Sequence, residues 1–156
     1  MLALLCIIGM FALPLGDNIK VSLQLLIVFI IALTAESVVD ALIVTSLYLV
    51  LGLFMPIYAG FNAGISPTFG FVISFVVIVI PIYFINNIKI KNQFIRMGVA
   101  CFMGLILCYI IGGLFISLYL KLSIEKALLL TVVPYIPFDI AKIVIATLVV
   151  SLLPKK

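Results

Sequence analysis

The chain has 156 residues, of which 67% are hydrophobic and 9% charged, with a mean hydropathy of +1.56. A soluble domain averages about 45–50% apolar and about 25% charged residues, and a fold this small leaves much of its area wet. Lipid must therefore take the place of water, which excludes a soluble enzyme, a secreted disulfide scaffold and a disordered tail. The net charge is +4, nine Lys or Arg against five acids. The basic residues are scattered through short connectors, as membrane topology requires, so no nucleic-acid partner is expected.

There is no His and no Trp. Without His, zincins, Ser-His-Asp hydrolases and Cys-His proteases each lack an obligatory part. Cys6, Cys101 and Cys108 form no CxxC pair, which leaves zinc and redox readings weak. Cys101 and Cys108 lie seven apart on one helix face, where small apolar packing accounts for them.

In chain order, the first apolar stretch runs from Met1 to Leu13. It is about 20 Å long as a helix, short of a bilayer, and lacks the basic start and cleavage site of a signal peptide. It reads either as the end of a first transmembrane helix that starts upstream of Met1, or as a short helix covered by its neighbours. Charge-free stretches follow at Val21–Ala35, Ala41–Ile88, Met97–Leu120 and Ile143–Pro154. The stretch from Val21 is also short and would gain length from Lys20 and Glu36 reaching toward the interfaces. The stretch from Ala41 is 48 residues long, right for two helices with a connector. Its middle, residues 55–68, collects Pro, Gly, Asn and Ser and marks a structured loop. The spacing predicts helices over 1–13, 20–35, 37–54, 67–86, 93–120 and 137–153, with a shorter one over 123–133. This is an all-α integral membrane protein with six transmembrane helices in a single domain, residues 1–156.

Orientation follows from the basic residues. With six spans, Lys89, Lys91, Arg96, Lys155 and Lys156 fall on one side, against Lys20, Lys121 and Lys126 on the other. That bias puts both termini in the cytoplasm and the 55–68 loop outside.

The segment Pro134-Tyr135-Ile136-Pro137-Phe138-Asp139-Ile140-Ala141-Lys142 carries the strongest local signal. Pro137 suits a first helical turn, where its missing N–H costs nothing. Asp139 and Lys142, three apart, share a helix face. Ionisable groups in a membrane span face a cavity or one another. They either pair and hold the start of the helix, or form a split polar site for a small ligand with N–H donors at one end and a carboxylate at the other. Gln24, in an apolar span, needs a hydrogen-bond partner, from another helix or from a ligand. Asn62, Ser66 and Thr68 belong to the outward loop, with or without a further role. Tyr58 and Phe61 read as an aromatic lid or as interfacial anchors. Glu36 and Asp40 read as a solvated helix junction or as a site for a cation or partner.

Several of these segments resemble one family. Val21-Ser22-Leu23-Gln24 resembles its V-x-[ST]-L-Q segment. Leu47-Tyr48-Leu49-Val50-Leu51-Gly52-Leu53, Pro56-Ile57-Tyr58-Ala59-Gly60 and Pro67-Thr68-Phe69-Gly70-Phe71 resemble its L-Y-L-x-L-G-L…P-x-[FY]-x-G…G-P-T-G-G-Y stretch. Pro134–Lys142 resembles its P-[FY]-[LI]-P-G-D-x-x-K signature. The family is BioY, the biotin-specific substrate-binding (S) subunits of energy-coupling-factor (ECF) transporters, and the resemblance runs over residues 12–153. It implies a six-helix bundle in a bacterial cell membrane that captures biotin from outside. A transmembrane coupling subunit and two ATPase subunits would then drive uptake. Asp139, Lys142 and Asn62 are the implied polar ligand contacts, and Gln24, Tyr58 and Phe61 complete the candidate set. Biotin would be bound as the transported ligand, and no cofactor or metal is expected.

The sequence departs from the family pattern at Ser66, Phe69 and Phe138, each in place of Gly, and at Glu36 and Asp40. The family's Ala-x-x-x-Ala face on the first helix has only Ala3, Gly9 and Ala12 here, at another spacing. No GxxxxGK[ST] motif occurs, so ATP hydrolysis would fall to separate subunits. A sibling vitamin subunit would favour Trp stacking, and an intramembrane protease a second carboxylate facing Asp139; the chain offers neither.

Overall fold

The computed structural model describes residues 1–14 and 20–153. Its helices are α1 (Leu2–Gly9), α2 (Gln24–Thr34), α3 (Val38–Phe54), α4 (Phe69–Asn86), α5 (Gln93–Leu120), α6 (Ile124–Thr131) and α7 (Ile136–Leu152). A 3-10 turn, Val133–Tyr135, joins the last two. Two short strands, β1 (Ala12–Pro14) and β2 (Lys20–Ser22), pair antiparallel with Ala12 opposite Ser22. The all-α membrane fold expected from the sequence is the one observed, apart from this ribbon.

The ribbon corrects two predicted helices. The first ends at Gly9 instead of running to residue 13, because the backbone from Ala12 to Pro14 is extended and pairs with Lys20–Ser22. The second starts at Gln24 instead of residue 20, since the Ser22 hydroxyl accepts from the Gln24 N–H at 3.0 Å and opens the helix there. The expected length gain from Lys20 concerns a side chain outside the described residues. So do Lys155 and Lys156, two of the five basic residues that set the predicted orientation.

Three stretches among the described residues are long and apolar enough to cross a bilayer: Phe69–Asn86, Gln93–Leu120 and Ile124–Leu152. The apolar helices α2 and α3 are shorter. The 11 residues of α2 reach only about 16 Å. Gln24, Leu25 and every residue from Ile27 to Leu33 are buried, so this helix is apolar all round because protein surrounds it. It forms the centre of the molecule, packed by α1, α4 and α7.

Side-chain caps fix the starts of α3, α5 and α6. Ser37 and Asp40 close a capping box on α3, and Asn92 accepts from the Phe94 and Ile95 N–H groups at the head of α5. Ser123 caps α6. Ile82 and Phe71 of α4 lie against Gly104 and Gly112 of α5, while Phe115 of α5 covers Gly70 of α4. Without a hydrophobic drive between helices in lipid, this close backbone approach supplies the packing.

The 55–68 connector is structured, as predicted. Tyr58 and Asn62 exchange backbone hydrogen bonds, and Gly60 donates to the Met10 carbonyl at 2.9 Å. Gly60 sits at φ 75°, which its missing Cβ permits.

Gly52 lies under the Tyr58 ring, so a Cβ there would overlap it, and the ring is pinned by its hydroxyl on the Leu49 carbonyl. Gly52→Ala should therefore lower stability by about 1–3 kcal/mol. Gly98 has nothing within 4 Å of its would-be Cβ, so Gly98→Ala should be neutral or raise stability by up to about 1 kcal/mol. Thermal melts of the two variants in detergent decide it, and equal midpoints would refute the packing argument.

Candidate ligand-binding site

A cavity of about 350 Å³ opens at the end of the molecule that carries the 55–68 loop. Its far wall is the start of α7, where Asp139 and Lys142 face into it. Pro137 lies in the first turn of that helix, as the sequence predicts. Asp139 is 5% exposed and Lys142 7%, and the Lys142 Nζ donates to Asp139 Oδ1 at 2.7 Å. The second carboxylate oxygen, Oδ2, accepts from the Tyr109 hydroxyl of α5 at 2.7 Å. The two charged residues are thus paired with each other and line a cavity at the same time. The readings left open by spacing alone are compatible.

The remaining walls are largely apolar. Phe71, Val72 and Phe75 of α4 form one side and Leu25 of α2 another, with Leu130 and Thr131 of α6 closing toward Tyr135. A few convergent polar groups on an apolar wall is the usual design of a small-molecule site.

Of the other sequence candidates, Gln24, Tyr58 and Asn62 line the cavity. The Gln24 side-chain amide donates to the Tyr48 hydroxyl, which donates on to the Ile57 carbonyl at 2.9 Å. Tyr58 is buried, and its hydroxyl donates to the Leu49 carbonyl at 2.6 Å. Burial pushes that hydroxyl up to about 12, so it remains a neutral donor at any physiological pH. The Asn62 amide donates to the Ala59 carbonyl at 2.7 Å. Phe61 is not brought to the cavity: it is 59% exposed, at φ 58°, with its ring edge-on to Phe11. Thr68 reaches the cavity and Ser66 does not. Phe138 is half-buried and lies off the cavity.

Sequence reasoning missed Tyr109, Ser22 and Thr131, and it read Cys108 as packing only. Cys108 is buried, accepts from the Ser74 hydroxyl at 3.0 Å and also lines the cavity. A signal for Tyr109 existed, because a tyrosine in an apolar span must find a partner for its hydroxyl.

Glu36 and Asp40 lie at the other end of the molecule, beside a second cavity of about 710 Å³. Asp40 Oδ2 accepts from the Ser37 N–H and hydroxyl, and the Glu36 carbonyl accepts from Tyr83. Among the described residues no group of three or more potential metal ligands occurs.

The chain matches the BioY family over residues 1–156. It belongs to the BioY family. It is 28% identical over 161 aligned residues to the biotin transporter BioY of Thermotoga maritima, covering 98% of this chain and 90% of that protein. Its fold is similar to the crystal structure of the S-component for biotin from an ECF-type ABC transporter. That likeness has a TM-score of 0.83 at 21% identity, over 96% of this chain and 84% of that one. Family and apolar helices together make this a membrane protein of transporter type.

A buried ion pair is far more costly to break than to replace. Lys142→Met leaves a buried carboxylate without its counter-charge and should lower stability by about 3–5 kcal/mol. The double substitution Asp139→Asn, Lys142→Met removes both charges and should recover most of that loss. Denaturation in detergent across the cycle measures it; additive losses would rule out the pairing.

Proposed function

We propose that this BioY-family protein captures biotin at the outer face of a bacterial cell membrane, as the substrate-binding subunit of an ECF-type transporter. The observation that carries the reading is the Asp139–Lys142 pair, buried on the wall of a largely apolar cavity. Biotin presents two ureido N–H groups and a carbonyl at one end and a carboxylate at the other. Asp139 accepts from the ureido side, and Lys142, with three N–H donors of which the pair uses one, donates to a ligand oxygen. The thiophane ring and valeryl chain suit the walls of Phe71, Val72 and Phe75. Asn62, on the loop over the cavity, closes the site, and Gln24 and Tyr58 shape its floor. Phe61 stands outside the contact set in this arrangement.

The chain is not an enzyme on this reading. A transmembrane coupling subunit and two ATPase subunits supply the energy. The protein spans the membrane six times as one domain, with both termini cytoplasmic and the 55–68 loop outside. The length of α4 supports opposite faces for the loop and the basic connector, since its 18 residues separate them by about 27 Å.

Calorimetry of the purified protein against a panel of vitamins tests the ligand, with saturable binding of biotin alone expected; preference for another vitamin would overturn it. Asp139→Asn and Lys142→Met should each weaken biotin about ten- to a hundredfold, because a hydrogen bond to a charged group contributes about 1.5–3 kcal/mol. The double variant, although stable, should also bind poorly. A stable double variant with parental affinity would remove these residues from the site. For the topology, a thiol reagent that cannot cross the membrane should label Asn62→Cys and spare Asn87→Cys in intact cells. Reversed labelling would invert the orientation.

A further inference from the structure

Asp139 is held by two residues, and only one of them follows from the spacing along its own helix. Lys142 meets Oδ1 at 2.7 Å. Tyr109, 30 residues away on α5, donates to Oδ2 at 2.7 Å. All three side chains line the same cavity. We propose that Tyr109 is a positioning residue of the ligand site: its hydroxyl holds the Asp139 carboxylate away from full engagement with Lys142, so that the acid and the ammonium remain two separate polar centres for the ligand. The role rests on the biotin reading above.

An acid and a lysine three apart on one helix, shut off from water, attract strongly. The terminal torsion of an aspartate is soft, so with no other partner the carboxylate turns both oxygens to the ammonium. A pair closed in that way offers a ligand few free lone pairs and few free N–H groups. The Tyr109 hydroxyl competes for Oδ2 from a different helix, and its direction is set independently of α7. That turn of α5 is itself anchored, since the adjacent Cys108 accepts from Ser74 of α4 at 3.0 Å. The carboxylate plane is therefore fixed by α5 and α7 together before a ligand arrives. Each oxygen keeps a lone pair that neither neighbour uses, on a residue that lines the cavity.

Tyr109→Phe removes one oxygen and keeps the ring. In the ligand-free protein, the infrared carboxylate band of Asp139 is the one missing from the Asp139→Asn variant. That band should shift in Tyr109→Phe, and an unmoved band overturns the proposal whether or not the protein binds biotin. In calorimetry Tyr109→Phe should weaken biotin roughly tenfold, as expected for a hydrogen bond to a charged group. The same change made in the Asp139→Asn background should cost less than about twofold, because the group it positions is already altered. Unchanged affinity overturns the proposal. Equal losses in both backgrounds overturn it too, since Tyr109 would then act on the ligand by itself. Should Tyr109→Phe not fold, ring-labelled tyrosine in the otherwise unsubstituted protein carries the test: a tyrosine C–O band must shift on Asp139→Asn, and a fixed band refutes the contact. A parent protein that binds no biotin would end the biotin reading, and the infrared result would still decide the link between Tyr109 and Asp139.

Discussion

Two opposite charges shut away from water constrain most of what surrounds them. A buried carboxylate and ammonium are tolerable only when they meet each other and when their remaining hydrogen-bonding capacity is also met. In this protein that requires α7 to begin just before Asp139, which Pro137 in its first turn favours. It also requires α5 to lie close enough for Tyr109 to reach Oδ2. The cavity is the space these requirements leave open, and its polar end is where they converge.

The rest of the bundle can be read as support for that convergence. The glycines that let α4 and α5 approach closely set the wall that carries Phe71 and Phe75 on one side and Cys108 and Tyr109 on the other. The central helix α2 is shorter than a lipid-exposed span, and it needs no such length because neighbouring helices bury it. Its first residue, Gln24, serves the Tyr48–Ile57 chain of hydrogen bonds while facing the cavity. The loop over the site is tied at both flanks, to Met10 through Gly60 and to Gly52 through Gly64. A loop fixed in this way can present Asn62 at a defined place.

The division of labour between the two ends follows from the same physics. At the loop end, polar groups turn inward onto a cavity that apolar rings shield. At the opposite end, Asp40 is used by the capping box of α3, and Tyr83 and Asn86 hold the last turn of α2 and its exit by their contacts to the Glu36 and Leu33 carbonyls. The acidic residues there, unusual beside the BioY pattern, thus include one whose carboxylate has a local structural use.

Composition alone decided that the solvent is lipid, because no packing of 156 residues hides that much apolar surface from water. The charge-free runs and the Pro–Gly loop located the helices from α3 onward to within about two residues, since in a bilayer the backbone has few alternatives to a helix. The Pro-Tyr-Ile-Pro-Phe-Asp-Ile-Ala-Lys segment identified the acid and the base, because two ionisable groups at helical spacing in an apolar run cannot be incidental. Tertiary structure decided the rest. Whether an apolar run such as Met1–Leu13 stays helical depended on a strand partner at Val21 and Ser22, which hydropathy does not encode. Which loop aromatic enters the cavity depended on a turn with positive φ at Gly60 and Phe61, which sends Tyr58 in and Phe61 out. Tyr109 found Asp139 only because α5 crosses α7 at that level, and a contact between helices 30 residues apart is a property of packing, with no period in the sequence to announce it.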